Sequence, residues 1–263
     1  MITLLGFITA LSFCTCASVA LAAGPKISDM INGGNKHNLS SLNTNVTYKA
    51  SPTDPKGREI CIFCHTPHNA SPQTTLWNRR DPTVTFGHFS SASLVISRKG
   101  VPSSYGEPTG SSRLCLSCHD GVTAGGVSLG DVLRHGPIDM GPNDRITGIA
   151  LFDAEKIKSG HHPVSFVYNA SVLGIIQSDP VKSSENYVLP TLPEVKLDKE
   201  ERIQCTTCHN PHQNQSTEET YNIPPNVGRK IAPFWVYGKT GSAIADHDVV
   251  CMNCHNLAVG PFQ

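Results

Sequence analysis

The pentapeptide Cys-x-x-Cys-His is written four times in this 263-residue chain. The copies are Cys61-Ile62-Phe63-Cys64-His65, Cys115-Leu116-Ser117-Cys118-His119, Cys205-Thr206-Thr207-Cys208-His209 and Cys251-Met252-Asn253-Cys254-His255. They take eight of the ten cysteines, and the other two, Cys14 and Cys16, lie near the amino terminus. On a helical turn, residues i, i+3 and i+4 share one face, so each motif presents two thiols and an imidazole together. That is the donor set of a c-type haem: the thiols bond its two vinyl groups and the imidazole reaches its iron. Four disulfides or zinc sites could also use eight cysteines. Neither accounts for a histidine after the second cysteine in every copy. The pattern predicts four covalently bound haem c groups and a tetrahaem c-type cytochrome.

Residues 1–23 read as a secretory signal that is removed on export. An apolar run from Ile2 to Ala22 ends in the small-residue sequence Ala20-Leu21-Ala22, although no Lys or Arg precedes it. Cys14 and Cys16 leave with it. No later run approaches the ~18 apolar residues of a membrane span. The expected product is soluble and extracytoplasmic, where haem attachment takes place in bacteria. Lys plus Arg equals Asp plus Glu, 21 each. That balance offers no field for nucleic acid and little colloidal repulsion between copies. With 22 Gly and 19 Pro and few long periodic stretches, the fold class is a multihaem cytochrome c. It is mostly coil, with short α-helices at the motifs, very little β structure and a thin protein core organised around the haems.

The motifs form an internal repeat. The leading member of each pair continues as Cys64-His65-Thr66-Pro67-His68 or Cys208-His209-Asn210-Pro211-His212, and a tryptophan follows, Trp77 or Trp235. The trailing members end Cys118-His119-Asp120 and Cys254-His255-Asn256, without the second histidine. Residues 24–263 are therefore expected to form one domain of two two-haem modules, about 37–120 and 202–256, joined by a loop-rich segment. Proline disfavours helix at the residue before it, which predicts motif helices ending at His65 or Thr66 and at His209 or Asn210. His68 and His212 are then swung away from their own haem towards a neighbouring one. The two tryptophans are expected to pack on haem faces.

His65, His119, His209 and His255 supply the proximal iron ligands, and eight further histidines remain for four distal positions. His68 and His212 lead, because each repeat places one there. His162 follows, held extended by Pro163, and then His37 near the mature amino terminus. His88, His135 and His247 read as solvated loop histidines, and histidine in surplus makes ligation by Met30 or Met140 unnecessary. Irons saturated by two histidines exchange electrons and have no open position for a substrate, so no enzyme activity is expected.

These residues resemble a known family. The runs Ile60 to Ala70, Leu76-Trp77-Asn78, Leu114 to Gly121 and His162-Pro163-Val164 are similar to the doubled Cys-x-x-Cys-His proteins. Among these, the outer-surface multihaem cytochromes of metal-reducing bacteria that polymerise into conductive filaments are nearest. Four motifs and this length resemble a tetrahaem member more than a six-haem one. The resemblance spans most of the mature chain. It implies loop-rich subunits around a continuous haem chain, a homopolymer at the cell surface, redox donors and external acceptors as partners, and one axial histidine donated by the adjacent subunit. The position maps onto His68, with His37 as the other choice. Two residues depart from the pattern: Arg79, where relatives often have histidine, and Phe89, where tyrosine is common. The alternatives are a monomeric periplasmic carrier with all ligands in cis and a redox enzyme subunit with one open haem.

Overall fold

The computed structural model describes residues 27, 35–68, 76–89, 91, 94–99, 106–120, 128–148, 151–152, 161–180, 187–213, 219–222, 224, 227–231 and 234–256. The expected signal segment and Met30 lie outside them. Irregular backbone predominates. The helices are α1 (Val95–Arg98), α2 (Gly110–His119), α3 (Ala170–Gln177), α4 (Cys205–Cys208) and α5 (Ala243–Met252). Two-residue strands β1 (Glu219–Thr220) and β2 (Lys230–Ile231) pair antiparallel, Glu219 opposite Ile231. A chain of mostly coil with few short helices and little strand is what the composition predicts. Among the described residues, no helix is long and apolar enough to cross a membrane.

The four motifs sit on two kinds of element. The second motif fills the carboxy-terminal half of the ten-residue helix α2, whereas the fourth begins in the last two residues of the ten-residue helix α5 and leaves it, His255 bridging to Tyr187. Helix α5 starts cleanly because Ser242 caps it, its hydroxyl accepting from the Ala245 amide. The leading motifs have one turn each, a 3₁₀ turn at Cys61–Phe63 and α4 at Cys205–Cys208. Both stop slightly earlier than the proline argument predicts. The reason is a backbone bridge that needs extended geometry at the histidine: His65 pairs antiparallel with Trp77, and His209 with Trp235. The Thr66 amide donates to Leu76 at 2.8 Å and Asn78 to Cys64 at 2.9 Å; Asn210 donates to Phe234 at 2.7 Å and Val236 to Cys208 at 2.9 Å. Leu76 and Phe234, one residue before each tryptophan, both adopt left-handed backbone, φ 67° and 78°. That conformation costs a side-chain-bearing residue roughly 1–2 kcal/mol, and it occurs at the same place in both frames.

The core is divided. One cluster gathers Ala50, Ile62, Phe63, Leu129, Val132, Ile138 and Met140, with Cys64 and Cys118 packed against it. There the backbone approaches so closely that a Cβ on Gly130 would collide with the Ile138 carbonyl. A second cluster joins Val95, Ile96, Phe166, Tyr168, Val172, Ile176 and Ile203, with Cys254 at its edge. Helix α3 contributes Val172 and Ile176, four residues apart on one face, and packs on α1. Phe86 and Leu116 make a third, small cluster. Each cluster ends at a motif.

Candidate cofactor sites

Three of the four motif histidines face a second histidine drawn from elsewhere in the chain. His65 faces His212 with ring centres 6.0 Å apart and planes 21° from parallel. His119 faces His37 at 6.1 Å and 62°. His255 faces His162 at 6.2 Å and 77°. These separations lie within 0.2 Å of one another. Among the described residues, no three His, Cys, Asp or Glu side chains converge as they would around a lone metal ion. The donor set is imidazole pairs with adjacent thiols, a set that would suit a haem iron.

The pairs are built by different means. His212 follows Pro211, whose carbonyl accepts from Asn35 at 3.3 Å, and the His212 carbonyl accepts from the Ile27 amide. His37 is held by a knot of buried asparagines: its amide donates to Asn35 Oδ1 at 2.8 Å, and Asn43 donates to the Asn35 and Asn38 carbonyls. Phe234 packs on the His37 ring at 4.6 Å. Burial pushes His37 down to about 3, so the imidazole stays neutral, as a metal ligand must be. Its Nδ1 is buried with no hydrogen-bond partner. His162 donates Nδ1–H to the Pro163 carbonyl at 2.7 Å. That leaves Nε2 to bind, an arrangement usual for metal-ligating histidines.

A cleft of about 340 Å³ opens at the first motif, with Cys61, Ile62, His65, Pro67, Leu76 and His135 among its walls. Thiol and imidazole therefore border one largely apolar space of the size that binds cofactors. Cys61 is exposed, and all eight motif cysteines are free thiols. Burial pushes Cys64 and Cys208 up to about 12 and Cys251 and Cys254 to about 11. The thiols of successive motifs sense one another. Cys118 acts on Cys64, and Cys251 and Cys254 act on Cys208. Cys115 and Cys205 share a hydrogen bond that raises the first and lowers the second. Thiols of successive motifs therefore lie near one another.

The third motif is different. His209 packs on Trp235 at 4.5 Å with the planes tilted by 35°, and Trp235 meets His247 edge-on at 4.9 Å. Burial lowers His209 to about 4. Among the described residues, no second histidine faces it at the spacing seen in the other three. His68, expected to be a distal ligand, joins none of the three pairs; it stands exposed after Pro67, with its carbonyl accepting from Thr66 Oγ1 at 2.8 Å. His88 and His135 are exposed. His161 holds the His162 carbonyl through Nδ1, and Met140 is buried in the first core cluster. Trp77 meets its motif histidine, His65, edge-on at 5.7 Å.

Two polar junctions were not anticipated from the sequence. Gln204, fully buried just before Cys205, accepts from Ser112 at 2.6 Å and from Ser165 at 3.0 Å and donates to Asp198 at 2.8 Å. Ser112 in turn accepts from the Cys205 amide at 2.9 Å, which ties α2 to α4 and so motif two to motif three. Asn78 donates to the Ile62 carbonyl inside motif one at 2.7 Å and accepts from the Arg134 amide. The next residue, Arg79, is 2 % exposed and donates to Ser117, Ser128 and Leu129 carbonyls. The only signal in the sequence is position: each lies directly before a motif, inside it, or beside a tryptophan that frames it.

No protein-family model matches the chain, and comparison with curated proteins gives no match.

Proposed function

We propose that the chain is a tetrahaem c-type cytochrome that transfers electrons outside the cytoplasm and assembles end to end into a filament. The observation that carries this reading is the set of three motif-to-distal histidine pairs, all separated by 6.0–6.2 Å. Cys61 and Cys64 would hold one haem with His65 and His212; Cys115 and Cys118 another with His119 and His37; Cys251 and Cys254 another with His255 and His162. Haem supplies one-electron exchange, and two histidines per iron leave no open position for a substrate. The polypeptide contributes paired imidazoles, and burial keeps those of His37, His65 and His162 neutral. Thiols of successive motifs lie near one another, which suits a path along the subunit.

Cys205, Cys208 and His209 would hold the fourth group, and its distal ligand is the point of assembly. Among the described residues His68 is exposed and outside every pair, and thus suited to serve the fourth group of the next subunit. A contact between two different patches that does not close a ring builds an open filament. Electron microscopy of the mature holoprotein tests this, with ordered filaments expected. His68→Ala should retain four covalent haems by mass and lose assembly; filaments of unchanged length would refute the assignment. The unpaired His209 also supports a second reading, a redox enzyme subunit with one open iron. Carbon monoxide separates them: a reduced filament whose spectrum does not change is saturated, whereas binding at one haem in four indicates the open site.

A further inference from the structure

Helix α5 sets a histidine and an aspartate beside the first cysteine of the fourth motif. His247 and Cys251 are four residues apart on one face of the helix. No other motif has a histidine there: the residues four before Cys61, Cys115 and Cys205 are Gly57, Ser111 and Glu201. His247 reads in the sequence as a solvated loop histidine, but the structure puts it in α5 with its side chain only 14 % exposed. Its ring meets Trp235 edge-on at 4.9 Å. Nδ1 lies 2.8 Å from Asp248 Oδ1, and Nε2 lies 3.5 Å from Cys251 Sγ. An ionised carboxylate only accepts hydrogen bonds, so Nδ1 carries the proton and Nε2 of the neutral ring accepts from the thiol. Tyr221 also donates to Asp248 Oδ1, at 3.3 Å, and fixes the carboxylate behind the ring.

The helix turn that carries His247 is anchored from the chain before it. Ser242 caps α5, and the fully buried Asp246 accepts at Oδ1 from the Lys239 and Thr240 amides at 3.2 and 3.1 Å and from Thr240 Oγ1 at 2.8 Å. Around Cys251, burial and then the Asp248 charge push the thiol up to about 11, with Arg229 opposing. The thiol thus keeps its proton at neutral pH, whereas the nucleophile is the thiolate. The same Asp248 charge that disfavours a bare thiolate favours an imidazolium at His247. Nucleophile, base and orienting carboxylate therefore stand in sequence, as in other activated-nucleophile sites.

We propose that His247, oriented by Asp248, is the proton acceptor that activates Cys251 for covalent attachment of a vinyl-bearing cofactor at the fourth motif. The proposal rests on the haem reading above. In the step, the Cys251 S–H bond breaks and its proton passes to His247 Nε2. A carbon–sulfur bond forms at the vinyl carbon nearest the macrocycle, the vinyl double bond becomes single, and the terminal carbon takes up one proton in exchange for the one sulfur lost. One thiol and one vinyl group give one thioether, with no electron gained or lost. Asp248 is a positioning residue, because it acts on the sulfur through His247.

Peptide mass spectrometry of the secreted chain, sampled at intervals after induction, measures thioether against free thiol at each of the eight motif cysteines. His247→Ala should slow attachment at Cys251 by about 100-fold, the low end for a positioned base. The six cysteines of the first three motifs should keep the parent rate, and Cys254 should lag less than Cys251. His247→Phe keeps a ring against Trp235 but takes no proton, and it should match His247→Ala. The parent rate at Cys251 in His247→Ala, its restoration by His247→Phe, or equal slowing at Cys251 and Cys254 each overturns the proposal. If neither variant is secreted, Asp248→Asn decides alone: selective slowing at Cys251 is expected, and the parent rate there overturns it. Free thiols at all eight cysteines of the unaltered protein would instead defeat the haem reading itself.

Discussion

The two leading motifs are the same frame filled with different contents. At motif one and motif three the backbone is alike: a one-turn helix, an extended histidine bridged to a tryptophan, and a left-handed residue before that tryptophan. What lies inside differs. Motif one backs onto Asn78 and Arg79, polar groups that pin Ile62 and Ser117 through their carbonyls. Motif three has Val236 and Tyr237 in those places, and its polar pin is Gln204, just before the first cysteine. Left-handed Leu76 is 43 % exposed, whereas Phe234 is buried on the His37 ring. The frame presents the thiols and the proximal imidazole, and the filling decides which neighbour supplies the second one. His65 is met by His212 from the other half, while the His209 ring packs on Trp235.

The sharpest break in the comparison should come from the left-handed pair. Phe234→Gly relieves backbone strain but removes a buried aromatic, and the loss should be about 2–4 kcal/mol in urea denaturation of the holoprotein. Leu76→Gly removes an exposed side chain from the same conformation and should lie within about 1 kcal/mol of the parent. Equal losses would show that the frame alone matters. Next comes the pin: Asn78→Ala strands the Ile62 carbonyl and Arg134 amide and should cost about 1–3 kcal/mol. Val236→Ala, at the matching position, should cost under about 1.5 kcal/mol.

A smaller effect should appear with pH. Burial holds His37 down to about 3 and His209 to about 4, below the unfolded value of 6.5. As pH falls below 6.5 the unfolded chain takes up protons first, so this contribution is complete above pH 6.5 and lost towards pH 4 and 3. Urea midpoints at pH 7, 5.5 and 4 should decline in that order. A midpoint that rose on acidification would contradict neutral, buried histidines.

Much of the site was legible in the sequence because its chemistry is local. The Cys-x-x-Cys-His spacing places two thiols and an imidazole on one turn wherever it occurs. Pro67 and Pro211 likewise announce that the chain leaves the helix before the second histidine. The sequence could also predict that His212 serves a motif other than its own. It could not show that the neighbour is His65, because that pairing is a long-range contact between halves. His68 and His212 occupy equivalent places in the repeat, yet among the described residues only His212 meets a partner ring. The Asn35–Asn43 knot carries His37 to His119, and no periodicity announces it.

Composition and spacing by themselves determined the donor groups, the repeat, the scarcity of regular structure and the thinness of the core. Each follows from short-range sterics or from how little apolar surface the chain has to bury. Only the tertiary structure decided which second histidine meets which motif, which motif has no such partner among the described residues, and that Arg79 and Asp246 are buried. Those are outcomes of packing between segments remote in sequence, where desolvation and long-range hydrogen bonds, rather than local propensity, choose the arrangement.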